Sequence, residues 1–312
     1  MPSNDAFRSF VIVNPAAAAG GAGRRWNRMA ALLTSTLGNF DHAMTRGQGD
    51  ATTLTRAALR QGFEMIVCVG GDGTLNEVVS GFFQESSPVP IASQAVLGVL
   101  AVGTGSDFGR TIQQVNLETA CARLAGRATR NIDVGMASFT GHDGALVTRV
   151  FVNVASFGCS GVVARLVSPR LKAMSGQLAF TLATLRALAV YRDQVVTLEF
   201  DDGAPRSAAI TNCALGNGRF FGAGMQVAPA AQLDDGEFDV TIWSGFGPFD
   251  FLRLRGALCD GSHVKEPGTQ LLRARRATAK SASTVLLEID GESVGRLPAH
   301  FEVLPAALRL KV

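Results

Sequence analysis

Cysteine and histidine are scarce in this sequence. Their placement argues against a disulfide-stabilised protein and against a zinc protein. The 312 residues contain five cysteines and four histidines. The cysteines are odd in number, far apart and mostly in apolar segments. This predicts buried free thiols in a reducing compartment rather than a disulfide framework. They are Cys68, Cys121, Cys159, Cys213 and Cys259. No zinc is expected, because neither i,i+4 spacing nor a neighbouring cysteine marks His42, His142, His263 or His300.

Charge is sparse as well, with 18% charged residues and a net charge of +3. Binding to nucleic-acid phosphates needs a denser Lys/Arg surface, so no nucleic-acid partner is expected. Two arginine clusters can be interpreted either as solvated surface or as patches that contact anionic lipid or nucleotide phosphates. They comprise Arg24, Arg25 and Arg28, and Arg273, Arg275 and Arg276.

Long apolar runs are missing too. The N-terminal residues lack the charged and apolar regions of a signal peptide. The most apolar segment, 176–191, is too short to cross a bilayer and contains Arg186 near its middle. We therefore expect a cytoplasmic protein without a membrane-spanning segment.

Residues 1–133 predict an α/β domain with a parallel sheet. The strand text "SFVIVNP" stops at Pro15 and is followed by a glycine turn and a helix that ends at Gly38. A second helix in "GDATTLTRAALRQG" precedes the strand "EMIVCVG", and a further helix and the strand "AVLGVLAVGTG" follow. This alternation is typical of parallel strands covered by helices.

From about Val134 the sequence is rich in segments that predict strands. Runs such as "QVVTLEFDDG" and "FDVTIWSG" predict an antiparallel domain over 134–299, with helices near 176–191 and in "GPFDFLRLRGALCDG". A final strand within 300–312 is expected to return to the first domain. The predicted fold class is α/β plus mainly β: a parallel nucleotide-binding domain, an antiparallel β-rich domain, and a cleft between them.

Two glycine-rich loops follow apolar strands of the first domain. In "CVGGDGTLNEVVSG", unobstructed backbone N–H groups at a helix start would suit a phosphate. The alternative is a tight turn in which Asp72 or Thr74 caps the helix. The second loop, "LAVGTGSDFGR", follows the next strand. Since parallel neighbours end at the same edge of a sheet, the two loops are expected to lie side by side and to form one phosphate site.

Six segments, in this order, resemble the diacylglycerol kinase catalytic fold: "VIVNP", "GGDGTLNEVVSG", "GTGSDFGR", "FVNVASFG", "GNGRFFGAGMQVAPAAQLDDGEFDV" and "LLEIDGE". The resemblance covers nearly the whole chain and is strongest to the bacterial soluble lipid kinases, which are related to sphingosine and ceramide kinases. The GGDGT loop is shared with NAD kinases, whereas "APAAQLDDGEFDV" together with "IDGE" is specific to the lipid-kinase branch.

The resemblance implies that ATP lies in the interdomain cleft. The residues expected around it are Asn14, Thr45, Gly70, Gly71, Asp72, Gly73, Thr74, Asn76, Gly103 and Thr104. Phosphoryl transfer depends on positioning and charge neutralisation, which backbone amides and Mg²⁺ can supply. Asp72 is also a catalytic candidate as a Mg²⁺ contact, because a carboxylate among phosphate-binding amides would otherwise repel the ligand.

Two acidic segments of the second domain receive roles from the same resemblance. In "AQLDDGEFDV" the resemblance implies a structural Mg²⁺ held by Asp235 and the carbonyls of Gln232 and Glu237. The alternative is that the Asp-Gly pair only forms a hairpin turn. In "LLEIDGE", Glu292 is implied to be the general base for the lipid hydroxyl, with an Asp290-Gly291 turn as the alternative.

The chain departs from the family pattern at three positions. Ser106 replaces an Asn of the second glycine loop, and Ala101 replaces a Pro. Ser160 stands where many relatives carry an Asp in a segment that faces the lipid head group, so the lipid itself is not specified. The expected reaction is transfer of the ATP γ-phosphate to a lipid hydroxyl, of diacylglycerol or a related lipid, during transient contact with the inner face of the membrane.

Two other functions stay open on the sequence. An NAD-kinase-like enzyme for a soluble substrate would share the GGDGT loop, but not the "DDGEFDV" and "IDGE" segments. A non-catalytic regulator could bind lipid or nucleotide on the same fold. The sequence does not specify the oligomeric state, the trigger for membrane contact or whether the protein is active in isolation.

Overall fold

The chain divides into two structural units. One comprises Met1–Asp133 and Pro305–Val312, and the other comprises Val134–Leu304. The computed structural model describes residues 7–85, 87–103, 105–167 and 176–312.

The first unit contains a parallel sheet. Its strands are β1 (Ser9–Val13), β2 (Asp41–Met44), β3 (Met65–Gly70), β4 (Val96–Ala101) and the end of a long strand counted below as β15 (Glu292–Lys311). Their order is β2, β1, β3, β4, β15, and every neighbouring pair is parallel. The last strand pairs through Arg309 and Leu310 with Val96 and Leu97.

Helices connect these parallel strands, as parallel pairing requires. They are α1 (Gly21–Arg24), α2 (Trp26–Leu37), α3 (Asp50–Arg60), α4 (Asp72–Phe82), α5 (Asp107–Thr111) and α6 (Leu117–Leu124). Helix α2 buries Met29 and Leu33 and stops at Gly38, whose φ of 73° suits glycine. Helix α4 lies so close to α3 that a Cβ on Gly81 would be 2.4 Å from the Thr55 side chain.

Strand β2 was not expected from the sequence. Its four residues, Asp41–Met44, are mostly exposed, and it pairs on one side with β1. Because only Ala43 is partly buried and the strand is short, the sequence carries no apolar alternation to mark it.

The second unit is antiparallel. Its strands are β5 (Thr129–Gly141, which starts in the first unit), β6 (Leu146–Phe151), β7 (Val154–Gly158), β8 (Gln194–Phe200), β9 (Arg206–Ile210), β10 (Asn212–Gly216), β11 (Phe238–Trp243), β12 (Thr269–Ala274), β13 (Arg276–Lys280), β14 (Leu286–Ile289) and β15. One run is ordered β12, β11, β10, β7, β14, β15, and β13 joins β15 to β8. The predicted change from parallel to antiparallel strands is confirmed.

Stacked phenylalanines fill the core of this unit. Phe151 lies 5.5 Å from Phe238, and Phe157 lies 6.0 Å from Phe301, between ring centroids. The helices are α7 (Cys159–Leu166), α8 (Gly176–Val190), α9 (Pro248–Arg253), α10 (Arg255–Asp260) and a 3₁₀ turn at Ser262–Lys265. The single helix expected in "GPFDFLRLRGALCDG" is therefore two helices, which separate at Leu254. Among the described helices, none combines the length and apolar character needed to cross a bilayer.

Candidate functional site

The two glycine loops of the first unit lie against each other. Strands β3 and β4 pair in parallel up to Gly70 and Ala101, and the Val102 N–H then donates to the Gly70 carbonyl at 2.9 Å. The Asp72 carboxylate accepts the N–H groups of Asp107 and Phe108, each at 3.1 Å. The expected side-by-side arrangement is confirmed, and Asp72 caps the neighbouring helix α5 rather than its own helix α4.

Glycine is required by the fold at Gly70 and Gly103 but not at Gly71. A Cβ on Gly70 would be 2.6 Å from the Thr74 side chain, and one on Gly103 would be 2.8 Å from the Gly71 Cα. On Gly71 the closest atom would be the Gly103 Cα at an ordinary 3.6 Å, and its φ of −99° is open to any residue. Neither packing against the described residues nor backbone conformation explains the missing side chain at Gly71, and its absence leaves room for an external group to approach the backbone.

Polar residues follow the carboxyl ends of strands β1, β2 and β3. The Asn14 amide donates to the Thr74 hydroxyl at 2.8 Å and accepts the Ala16 N–H at 3.0 Å. Thr45 directly follows strand β2, and its N–H donates to the Val13 carbonyl at the end of strand β1 at 2.8 Å. Asn14, Thr45 and Thr74 thus follow the carboxyl ends of three parallel strands, the edge at which open α/β sheets bind ligands.

The remaining ATP-site candidates of this unit lie in or near helix α4 or outside the described residues. Gly73 lies in the first turn of α4, and Asn76, one turn further, is buried. Thr104 lies outside the described residues. Glu77 has a role that the sequence did not indicate, since its carboxylate accepts the N–H groups of Gly49 and Ala51 and so caps helix α3.

The buried cysteines offer no nucleophile. Within the described residues all five cysteines are free, as expected. Four are buried, but Cys259 is exposed, so the expected burial is wrong for that residue. Burial raises the pKa of the Cys68 thiol, and the carboxylates of Asp72 and Glu77 raise it further. Burial likewise raises the pKa of Cys159 to about 12. A thiol with such a pKa stays protonated at neutral pH and is a poor nucleophile.

In the second unit a two-residue hairpin presents Glu292. Asp290 and Gly291 connect β14 to β15 with φ values of 45° and 87°, and Ile289 pairs with Glu292. Two positive φ values are typical of the type I′ hairpin turn, for which Asp-Gly is well suited. The Asp290 carboxylate accepts the N–H groups of Val152, Asn153 and Val154 at 3.0–3.2 Å, which anchors the turn to the start of β7.

Glu292 is accessible and has one cationic neighbour. Its side chain is 31% exposed, and its carboxylate lies 3.5 Å from the Arg149 guanidinium on β6. A carboxylate at the surface end of a rigid hairpin can accept a proton from a bound hydroxyl. The turn interpretation of "IDGE" is thus correct, and it is compatible with a catalytic Glu292.

The loop before β11 gathers acids around one arginine. The Asp235 carboxylate contacts Arg273 Nη2 and accepts the Glu237 N–H at 3.2 Å. Arg273 also lies 3.2 Å from the Glu237 carboxylate and 3.8 Å from that of Asp239. Burial raises the pKa of Asp239, which Arg273 opposes. The Asp235-Gly236 pair lies in a long loop between β10 and β11, so the two-residue hairpin considered for it is not formed.

The donors of this loop fit a hard divalent cation. Within the described residues, no three His, Cys, Asp or Glu side chains are arranged to hold a metal ion, so a cation here would depend on main-chain carbonyls as well. Asp235, with the carbonyls of Gln232 and Glu237, is an all-oxygen set of the kind Mg²⁺ prefers. One carboxylate oxygen of Asp239 is buried without a hydrogen-bond partner among the described residues. Three acids share Arg273, and Arg275 lies 3.8 Å from one of them, Glu237.

Comparison with known proteins agrees with both halves of the chain. Residues 8–137 match the diacylglycerol kinase catalytic domain, and residues 153–312 match the YegS C-terminal NAD kinase beta sandwich-like domain. The "Diacylglycerol kinase" of Bacillus subtilis (strain 168) is 30% identical over 83% of this chain and 81% of its own length. That of Staphylococcus carnosus (strain TM300) is 29% identical over 82% and 79%.

The solved structures agree at the level of the fold. A crystal structure of a diacylglycerol kinase from Bacillus anthracis str. Sterne superposes with a TM-score of 0.71 and covers 97% of this chain and 96% of its own, at 21% identity. With both domain models matched in order along the chain, and a relative 30% identical over most of its length, the resemblance read from the motifs is confirmed: the chain belongs to the superfamily of bacterial soluble lipid kinases with a diacylglycerol kinase catalytic domain.

Proposed function

We propose that this protein transfers the γ-phosphate of ATP to the hydroxyl of diacylglycerol or a related lipid. The observation that carries the proposal is Gly71, which has no side chain although the described residues leave room for a Cβ there. It lies at the start of helix α4, beside a second glycine loop, where N–H groups and the helix dipole favour a phosphate. Membership of a lipid-kinase family supports the same assignment.

The chemistry is an in-line displacement at phosphorus. The lipid hydroxyl oxygen forms a bond to the γ-phosphorus, the bond from that phosphorus to the β-phosphate oxygen breaks, and ADP leaves. Glu292 accepts the hydroxyl proton, while the N–H groups of the glycine loops bind and orient the phosphates. Mg²⁺, where bound, supplies additional neutralisation of phosphate charge.

One assay separates this proposal from its alternatives. Transfer of labelled γ-phosphate from ATP is measured with diacylglycerol, sphingosine and ceramide micelles, and with NAD in parallel. Labelling of a lipid is expected. Labelling of NAD alone would assign a soluble-substrate kinase, and binding of ATP or lipid without any transfer would assign a regulator. The relative rates on the three lipids identify the acceptor that Ser160 leaves unspecified.

The proposed Mg²⁺ site in the β10–β11 loop predicts a linked loss in Asp235→Ala. A cation that binds only the folded protein stabilises it by about 2.7 kcal/mol at a concentration a hundred times its Kd. We therefore expect Mg²⁺ to raise the Tm of the wild type, and Asp235→Ala to lose both this shift and part of the Mg²⁺ activation. Calorimetry with and without Mg²⁺ measures the first effect.

A matched control is Asp202→Ala, which removes an exposed acid paired with Arg276 in the same unit. It should leave the Mg²⁺ titration as in the wild type. An Asp235→Ala protein with an unchanged titration would show that no ion is held there.

Membrane contact is proposed to occur through helices α8 and α9. These helices pack against each other and expose Leu178, Leu182 and Val190 on α8 and Phe249 and Leu252 on α9, each by more than half. No Asp or Glu occurs in residues 144–192, which contain six Arg and Lys, and Arg186 is exposed on α8. Asp250 on α9 lies 3.8 Å from Arg253 of the same helix. Exposed apolar groups beside a basic segment match an anionic lipid surface.

This surface predicts weaker vesicle binding by Leu182→Glu. Burial of a leucine side chain is worth about 1.5–3 kcal/mol, so losing a half-exposed one should weaken binding to phosphatidylglycerol-containing vesicles about tenfold. Leu146→Glu is the control, because Leu146 is 80% exposed on β6 of the same unit. Equal binding by the two variants in vesicle sedimentation would exclude this surface, and a loss of self-association in Leu182→Glu would assign it to a second copy of the chain instead.

A further inference from the structure

Glu288 is a buried carboxylate beside the hairpin that carries Glu292. It lies on β14 and is only 3% exposed. Its Oε1 accepts the Gly291 N–H at 2.5 Å, and its Oε2 accepts the Ser156 hydroxyl. The Ser156 oxygen lies 2.8 Å from that of Ser160. Since an acid in the interior is costly unless its oxygens are hydrogen-bonded, these contacts are the reason a glutamate can occupy this position.

The hydrophobic core and helix α7 lie on the two faces of strand β14 at Glu288. Its neighbours in sequence, Leu287 and Ile289, point to the other face of β14 and belong to the hydrophobic core. On the face of Glu288, helix α7 packs so closely that a Cβ on Gly161 would be 2.5 Å from the Leu286 backbone. A leucine or methionine would fill such a site without the cost of burying a carboxylate. Packing alone therefore does not explain the acid at this position.

The two residues that flank Ile289 both anchor the hairpin through side-chain hydrogen bonds. Asp290 binds the N–H groups at the start of β7, and Glu288 binds the Gly291 N–H within the turn. Asp290 and the Asp290–Gly291 peptide unit, which directly precede Glu292, are therefore both anchored. Misplacement of a catalytic group by about 1 Å can cost a hundredfold in rate, so such fixing has kinetic value.

We propose that Glu288 is a positioning residue, which sets the direction of Glu292 through its hydrogen bond to the Gly291 N–H. The inference rests on the proposed function, in which Glu292 is the general base. It assigns to Glu288 no contact with ATP or lipid. Its influence passes through the turn, so the hydrogen-bonding capacity of the side chain matters more than its charge.

The test is a double-mutant cycle between Glu288→Met and Glu292→Gln. Methionine keeps the length of the side chain but cannot accept the Gly291 N–H. We expect Glu288→Met to lower kcat by about 10- to 100-fold with the KM for ATP unchanged. In the Glu292→Gln background the same change should lower kcat by less than about threefold, because a residue that acts through another has nothing left to position.

The conservative variants separate geometry from charge. Glutamine at 288 can still accept the Gly291 N–H, so Glu288→Gln should keep about a third or more of the wild-type kcat. Glu288→Asp keeps the charge but withdraws the carboxylate by one methylene, and should resemble Glu288→Met. Should Glu288→Met not fold, these two variants decide the question. Thr241→Val, which removes another buried hydrogen bond in this unit, controls for loss of stability alone.

Each outcome has one meaning. The inference is overturned if kcat per folded Glu288→Met molecule equals that of the wild type, if its loss recurs in full in the Glu292→Gln background, or if Glu288→Asp is the more active conservative variant. A wild-type protein that binds ATP but phosphorylates none of the three lipids overturns the proposed function instead. Folded enzyme is counted by the stoichiometry of ATP binding in calorimetry.

Discussion

The variant Glu292→Gln is expected to lose roughly a hundredfold to ten-thousandfold in turnover on a lipid hydroxyl while binding ATP as tightly as the wild type. Glutamine keeps the shape of the side chain and can hydrogen-bond to the hydroxyl. It cannot take up a proton, so the loss reports the proton transfer. The hairpin should be unaffected, because its anchors are the carboxylates of Asp290 and Glu288.

The measurement combines calorimetry of ATP binding with steady-state kinetics on the preferred lipid. Glu302→Gln is the matched control, since Glu302 lies on the same strand β15, is also partly exposed, and has no role in the proposed reaction. Loss of ATP binding in Glu292→Gln, with turnover retained, would mean that Glu292 acts on the nucleotide and that the base lies elsewhere.

The second large effect is expected for Gly71→Val, which should weaken ATP binding by at least about tenfold, or 1.4 kcal/mol. Among the described residues, a Cβ at this position would meet the Gly103 Cα at an ordinary 3.6 Å. The side chain would occupy the space through which a phosphate reaches the N–H groups of the loop. Since the described residues leave room for this Cβ, the loss should appear mainly in ligand binding rather than in folding.

Gly256→Val is the control for this variant. Gly256 is exposed on helix α10, and no atom lies within 4 Å of a Cβ placed there. Both proteins are compared by thermal unfolding without ligand and by ATP titration. Should Gly71→Val bind ATP normally, the phosphates do not approach this loop and the assignment of the nucleotide site is wrong.

Most of the fold could be predicted because its signals are local. The buried runs of β1, β3 and β4 alternate with amphipathic helices, and the second unit shows short apolar strands separated by turns. The elements that escaped prediction lack such a signal. Strand β2 is exposed, and α5 and α7 are too short to display a helical period. The break at Leu254 between α9 and α10 comes without a proline or glycine at that position.

The candidate site was predictable to a lesser degree. Its glycines and acids stand in recognisable motifs, but the partners of each acid are distant in sequence. Asp72 caps a helix that begins 35 residues further along the chain, and Glu77 accepts the N–H of Gly49, 28 residues before it, at the start of helix α3. Such contacts depend on which strands become neighbours in the folded chain. The sequence of a single segment does not determine these neighbours. The same holds for Ser160, a departure from the family pattern whose hydroxyl joins Ser156 and, through it, Glu288.

The amino-acid sequence alone determined the two kinds of sheet, the position of the glycine loops after parallel strands and the family, because periodicity, turn chemistry and motif order are properties of contiguous chain. Only the tertiary structure decided which glycines are required by packing, which acid caps which helix, and that Glu288 lies buried beneath the Glu292 hairpin. Those features follow from distances between segments far apart in sequence, and close packing in the folded chain is what sets those distances.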